Sequence, residues 1–141
     1  MVMGFLFFLF GCSKKDNDGG GPTRYVAEQA YKDNLAKQVS MTPQTMDQLR
    51  EHGVTQTATL RIEFFFYTDT ERRAGSLAEA LRAMGYQAEA GPSAGDDKLF
   101  LVNGWTTPLK MDDPTVLEWT RQMCKLGYEH DCEFDGWGTN P

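Results

Sequence analysis

The chain has 141 residues and a formal net charge of −6, which fits a single globular domain and argues against a basic surface for nucleic acid. Hydrophobic residues make up 40% of it, enough to bury a core. The charge lies in one part, since residues 59–141 carry 8 basic and 14 acidic groups whereas residues 1–58 are balanced. We therefore expect no direct nucleic-acid binding, and a protein surface or a cation remains open as a partner. Three cysteines and two histidines are too few for a disulfide scaffold or a zinc ribbon.

The first residues form an almost unbroken apolar run, residues 1–10, followed by Gly11 and Cys12. The run is too short to cross a membrane as a helix, and it resembles a bacterial lipobox, in which a small residue precedes an acylated cysteine. We predict that residues 1–12 are a lipoprotein signal ending at a lipidated Cys12, which would anchor the protein to the bacterial envelope membrane. Phe10 is bulky for this pattern and no basic residue precedes the run, so a cytoplasmic chain with an apolar tail is the alternative.

Two segments are expected before the main domain. Residues 13–23 are polar and glycine-rich and predict a flexible linker. Residues 24–57 predict a pair of helices. Thr42 would cap the second helix, with Pro43 in its first turn and Gly53 after its end. The first helix is indicated by an apolar stripe that recurs every four residues: Ala27, Tyr31, Leu35 and Val39.

Residues 58–141 begin with a strand, a helix and a second strand. The first strand covers residues 59–67 and is apolar on both faces. Thr68 and Glu71 form the pattern of a capping box that opens the helix, and Gly85 supplies its left-handed end. Residues 86–90 are the second strand. The helix has one apolar face, formed by Ala74, Leu77, Ala78, Leu81 and Met84.

The same order follows a loop over residues 91–97. Residues 99–105 predict a strand, and Asp113 with Pro114 predicts the start of a helix that ends at Gly127. Residues 128–135 predict the last strand. Its inward residues would be Tyr128, His130, Cys132 and Phe134, and its outward residues Glu129, Asp131, Glu133 and Asp135, a solvated row of acids that discourages edge pairing.

This order predicts an α+β fold, namely a ferredoxin-like βαββαβ sandwich preceded by the helical pair. The two halves echo each other, since one helix ends Met84-Gly85-Tyr86 and the other Leu126-Gly127-Tyr128. Right-handed crossovers would place the first and third strands in the middle of the sheet.

No residue pattern indicates an enzyme, a cofactor or a metal site. Cys124, His130 and Cys132 could be imagined as metal ligands, but a fourth ligand is not evident. The two cysteines are better interpreted as buried free thiols than as a disulfide, because a helix packs farther from a sheet than a disulfide reaches. His130 is interpreted as a half-buried, hydrogen-bonded residue. The paired carboxylates are interpreted as helix caps and solvated charges rather than as general acids and bases.

Aromatic residues give a further hint of binding. Phe65 and Tyr67 lie on the strand face opposite Leu60 and Ile62. The favoured interpretation is that the helix carrying Tyr31 covers this face, and a protein partner is the next. RNA stacking is disfavoured by the charge and by the lack of a basic, glycine-rich third strand.

Three segments carry a family resemblance: residues 62–67 (Ile-Glu-Phe-Phe-Phe-Tyr), 81–86 (Leu-Arg-Ala-Met-Gly-Tyr) and 134–139 (Phe-Asp-Gly-Trp-Gly-Thr). The chain resembles the regulator of ribonuclease activity B family from about Leu60 to Thr139. The resemblance implies a ferredoxin-like, non-catalytic module that binds ribonuclease E and inhibits RNA turnover.

Under this resemblance, the docking residues would be the acids Glu129, Asp131, Glu133 and Asp135 or an exposed Trp137. In the favoured interpretation, Trp137 instead folds back and caps the sheet. The alternative function is an envelope lipoprotein that reuses the domain for another binding or structural task, because an exported protein would not meet a cytoplasmic ribonuclease. The sequence leaves the oligomeric state open.

Overall fold

The computed structural model describes Leu6–Leu9, which form a strand, and residues 24–141. This part of the chain is α+β, as predicted, and contains three helices and two antiparallel sheets. The helices are α1 (Glu28–Glu51), α2 (Glu71–Ala83) and α3 (Asp113–Glu129). The strands are β1 (Leu6–Leu9), β2 (Thr59–Leu60), β3 (Ile62–Thr68), β4 (Gln87–Pro92), β5 (Phe100–Trp105), β6 (Leu109–Lys110) and β7 (Glu133–Thr139).

The main sheet has five strands in the order β1-β7-β3-β5-β4, and β2 pairs with β6 in a separate ribbon. All neighbouring strands are antiparallel. The first and third strands of the predicted repeat, β3 and β5, lie inside the sheet as expected. The order β7-β3-β5-β4 is compatible with the ferredoxin-like arrangement.

The hydrophobic core lies between one face of the sheet and the helices. Phe64 and Phe66 of β3 are fully buried and alternate with Phe65, so they point to the helical side. The predicted apolar face of α2 is confirmed for Ala74, Leu77, Ala78 and Leu81, whereas Met84 follows the helix and is exposed.

The predicted helical pair is wrong, because α1 is one helix of 24 residues with Pro43 inside it. Thr42 does not cap a second helix; its hydroxyl donates to the carbonyl of Gln38 at 2.8 Å within the helix. A proline inside a helix removes one backbone bond and normally costs about 3 kcal/mol. Burial on both sides of Pro43 offsets that cost, since the buried residues of α1 are Gln38, Thr42, Thr45, Met46 and Leu49.

Two helix starts differ from the prediction by small shifts. The cap of α2 is Thr70, whose side chain accepts from the Arg73 N–H at 3.2 Å, while Thr68 lies buried in β3. The cap of α3 is Asp112, whose carboxylate accepts from the Thr115 N–H at 2.8 Å.

The predicted last strand over residues 128–135 is also wrong in its first half. Helix α3 runs through Gly127 to Glu129, and β7 begins only at Glu133. All seven residues of β7 are buried, so this strand does not present a solvated row of acids.

Candidate protein-binding surface

The turn between α3 and β7 is organised by Asp131. Its backbone has a φ of 58°, a left-handed conformation that aspartate tolerates better than most residues. Its carboxylate accepts from the backbone N–H groups of Tyr25 and Val26, each at 2.7 Å, and lies 3.0 Å from Nε of Arg73. Only 7% of Asp131 is exposed. Asp131 therefore joins the segment before α1 to α2 instead of facing solvent.

Two other acids proposed for docking are buried in β7. Glu133 and Asp135 are 6% and 5% exposed. Burial, together with the negative charge of Glu133, raises the pKa of Asp135 to about 6, although Lys37 opposes the shift. Glu129, the last residue of α3, is the one exposed member of the four acids.

Trp137 lies in the middle of β7 and is 3% exposed. Its ring meets that of Trp119 edge-on, with centroids 6.3 Å apart. Gly136 and Gly138, the neighbours of Trp137 in β7, pair with Phe65 and Glu63 of β3 and belong to the opposite face of the sheet. Trp137 therefore fills the core and is not available as an exposed anchor.

The thiols of Cys124 and Cys132 are free and buried, which confirms their interpretation from the sequence. Burial raises the pKa of each to about 12, so neither is a reactive thiolate at neutral pH. Within residues 24–141 and the strand Leu6–Leu9, no cluster of three or more His, Cys, Asp and Glu could hold a metal ion.

A polar cleft of about 580 Å³ lies beside the start of α2. It contains a serine–histidine pair that the sequence did not suggest: Oγ of Ser76 lies 2.9 Å from Nδ1 of the half-buried His130. Two of its three arginines contact acids, since Arg73 contacts Asp131 and Asp69 and Arg24 lies 3.6 Å from Asp131. The cleft is lined by Arg24, Thr70, Arg72, Arg73, Ser76, Glu129, His130 and Asp131. The contacts of Arg24 and Arg73 with Asp131 join the chain before α1 and helix α2 to the turn between α3 and β7.

The other face of the sheet carries a mixed apolar and polar surface. The prediction that the helix carrying Tyr31 covers this face is wrong. Helix α1 packs on α3 instead, where Tyr31 stacks on Tyr128 with ring centroids 4.4 Å apart. The strand register places Phe65 beside Asn103, and Asn103 beside Glu89. A second cleft of about 600 Å³ lies at β4 and β5, lined by Arg82, Gln87, Ala88, Glu89, Asn103, Gly104 and Trp105.

We call the part of this face on β4 and β5 the β4–β5 surface, formed by Gln87, Glu89, Leu101, Asn103 and Trp105. The exposed members, Gln87 and Glu89, stand on the outermost strand, and the other three are half-buried. An extended surface that combines aromatic, amide and carboxylate groups suits contact with another protein.

Comparison with models of protein families gives a match. The model of a protein family described as regulator of ribonuclease activity B matches residues 40–139, well over half of the chain. The match contains α2, α3, strands β2 to β7 and the second half of α1. No curated protein matches the chain.

Proposed function

Because the chain belongs to the regulator of ribonuclease activity B family, we propose that it binds ribonuclease E and inhibits RNA cleavage without chemistry of its own. The observation that carries this proposal is the family match over residues 40–139, which spans nearly all of the folded domain. The protein then acts by occupying a surface of the nuclease.

The roles of the polar groups support a binding function. Asp131 is bonded to backbone N–H groups and to Arg73, and Asp135 is buried beside Glu133. The Ser76–His130 pair lies in a cleft where Arg24 and Arg73 are paired with Asp131. These groups stabilise the fold, and the β4–β5 surface remains for contact with a partner.

The strand order supports a ferredoxin-like assignment for the domain. Strands β7, β3, β5 and β4 are neighbours in that order, and the aromatic core of β3 faces the helices. In such a fold the helices occupy one side of the sheet, so the other side is the natural place for a protein contact.

The test uses the full chain and purified ribonuclease E. We expect a complex by calorimetry and slower cleavage of an RNA substrate by the nuclease, with no binding of the RNA by the regulator alone. A pancreatic-type ribonuclease serves as the specificity control. Absence of a complex with ribonuclease E would refute the proposal.

The place of action stays a prediction. The predicted linker, residues 13–23, and Cys12 lie outside the described residues. Of the predicted signal, residues 1–12, the structure describes only Leu6–Leu9. Among the described helices, none is long and apolar enough to cross a membrane. Cleavage before Cys12 would remove β1, which pairs with residues 136–139 of β7.

Intact mass of the protein from membrane and soluble fractions separates the two locations. A chain that begins at an acylated Cys12 would support the envelope lipoprotein that reuses this domain. An unmodified chain in the cytoplasm would place it together with ribonuclease E.

A further inference from the structure

The two edges of the main sheet are built differently. At one edge, β1 pairs with residues 136–139 of β7. Beyond that pairing, side-chain amides of α1 reach the strand, since Asn34 donates to the carbonyl of Phe134 at 2.9 Å and Gln38 to that of Asp135 at 3.4 Å. At the other edge stands β4, which in the described part of the chain pairs only with β5.

The register shows which backbone groups of β4 point outward. The backbone N–H of Ser93 donates to the carbonyl of Leu99, so these two residues face each other as a hydrogen-bonded pair. In steps of two residues along the same register, the other hydrogen-bonded pairs are Gly91 with Leu101 and Glu89 with Asn103. In an antiparallel ladder alternate residues bond to the neighbour, so the residues between these point to the outside. The outward N–H and C=O groups therefore belong to Ala88 and Ala90.

One of these outward groups already has a partner. Nε of Arg82, on α2, donates to the carbonyl of Ala88 at 2.9 Å. No other described residue bonds the outward N–H groups of Ala88 and Ala90 or the carbonyl of Ala90. The edge thus offers a short row of donors and acceptors that an added strand could use.

The edge has few of the features that block strand addition. Edges are usually protected by lysines, bulges or prolines. The pairing of β4 with β5 is regular. The residues whose backbone groups point away from β5 are alanines as far as Pro92, which has no N–H to donate. Pro92 and the side chain of Arg82 limit an added strand to the stretch around Ala88 and Ala90.

The charge of the β4–β5 surface indicates the chemistry of the added strand. Glu89 is exposed on this surface, and none of the ion pairs between described residues includes it. Side chains directly opposite on paired strands have Cβ atoms about 5 Å apart, so a lysine or arginine beside Glu89 would reach its carboxylate. The cleft of about 600 Å³ at Glu89, Asn103 and Trp105 accommodates the long stem of such a side chain. Arg82 also lines this cleft, but its Nε donates to the carbonyl of Ala88 and it forms no ion pair with Glu89 among the described residues.

We propose that β4 binds an extended, basic segment of the partner by adding it as a further strand, with backbone bonds to Ala88 and Ala90 and a cation beside Glu89. This inference rests on the proposed function, which makes that partner ribonuclease E.

Amide hydrogen exchange measured by NMR tests the geometry directly. The probes are ribonuclease E and overlapping synthetic peptides that cover its sequence. In the complex we expect the amides of Ala88 and Ala90 to exchange at least about tenfold more slowly, because a strand bond protects each of them. The peptides that produce this protection should be rich in lysine or arginine.

Three other outcomes would overturn the inference. If ribonuclease E binds and both amides exchange as in the free protein, docking occurs elsewhere and the proposed function stands. If ribonuclease E does not bind at all, the proposed function fails and this surface loses its partner. If the amides of the free protein become protected as its concentration rises, the edge pairs with a second copy instead.

Two variants separate the backbone contribution from the charge. Ala90→Pro removes one outward N–H, and we expect it to weaken binding at least about tenfold. Because the proline could also disturb β4, Glu89→Lys provides a second variant that leaves the backbone intact. We expect about tenfold weaker binding for it at low salt.

The matched control is Glu51→Lys, the same charge change at the exposed end of α1. It should leave the affinity unchanged. Equal losses for Glu89→Lys and Glu51→Lys would show that only net charge matters and would refute the assignment to β4.

Discussion

The two helix–strand junctions of the domain carry nearly the same sequence and fold differently. In Met84-Gly85-Tyr86, Gly85 has a φ of 88° and follows the end of α2. In Leu126-Gly127-Tyr128, Gly127 is helical and buried, and α3 continues to Glu129. The left-handed residue of the second junction is Asp131, four residues later.

Packing explains the difference. A Cβ on Gly127 would lie 2.8 Å from the carbonyl oxygen of Cys132 and 2.9 Å from the ring of Phe66. The missing side chain therefore lets α3 approach β3, and the carbonyl of Gly127 accepts from the Cys132 N–H at 2.7 Å. A glycine before a tyrosine at a helix end can thus serve conformation in one place and close contact in another.

The largest expected effect comes from Asp131→Ala, which removes the side chain that holds the second junction. The N–H groups of Tyr25 and Val26 lose their acceptor, and Arg73 loses a buried partner. We expect a loss of about 3 kcal/mol in the free energy of unfolding, measured by urea denaturation. Asp131→Asn is the control, because it keeps one acceptor oxygen and tolerates the positive φ, and it should lose less. An Ala variant as stable as the parent would contradict the role of the carboxylate.

Gly127→Ala should cost about 2 kcal/mol, because the new methyl group is forced against the Cys132 carbonyl and the Phe66 ring. Alanine is intrinsically the better helix former, so helix propensity alone predicts the opposite sign. Thermal unfolding followed by circular dichroism distinguishes the two. A gain in stability would show that close packing does not explain why α3 continues through this residue.

Gly85→Ala should cost about 1 kcal/mol, since its φ of 88° is unfavourable for a residue with a side chain. The added Cβ would meet only Cγ2 of Thr107, at 3.9 Å, so the loss is conformational. Gly85→Asn should lose less than Gly85→Ala, because asparagine is the better left-handed cap. Equal losses for the two variants would argue against a conformational cause. Urea denaturation of both measures the difference.

Gly75→Ala sharpens the comparison with Gly127, because Gly75 is also helical but has no atom within 4 Å of its would-be Cβ. Here propensity decides, and we expect a gain of about 0.5–1 kcal/mol in the free energy of unfolding. The same denaturation experiment checks the sign. A loss would indicate a contact on α2 that the geometry does not show.

The last effect is seen as a pH dependence and concerns Asp135, one of the buried acids of β7. The pKa of Asp135 is raised from 3.8 to about 6, so between these values the folded protein holds a proton that the unfolded chain has released. Stability should therefore fall as the pH rises through this window. Asp135→Asn removes this contribution, and urea denaturation at several pH values should show a flatter profile. Parallel profiles for the two proteins would refute it.

The sequence was sufficient where local pattern and tertiary structure agree. Strands β3 and β5 are rich in apolar residues and lie inside the sheet, as their sequences predict. The spacing of Ala74, Leu77 and Leu81 identified the buried face of α2, and Gly85 has the positive φ expected of a helix end.

The sequence was insufficient where distant contacts decide. Pro43 indicated a helix start, but burial of residues on both sides of it keeps α1 continuous. The alternation of acids predicts a strand from residue 128 with a solvated row of acids, but residues 128–129 form the last turn of α3 and Asp131, Glu133 and Asp135 are buried. The pairing of Ser76 with His130 joins residues 54 positions apart, which no local spacing reveals.

The family match begins at residue 40, inside α1, so a boundary drawn from sequence similarity divides a helix. Asn34 and Gln38, which bond the carbonyls of Phe134 and Asp135, lie before that boundary. A recombinant fragment trimmed to residues 40–139 would lack both amides and β1, and would expose the edge of its last strand. Such a fragment should aggregate through that strand, and the folding unit is therefore longer than the unit of family similarity.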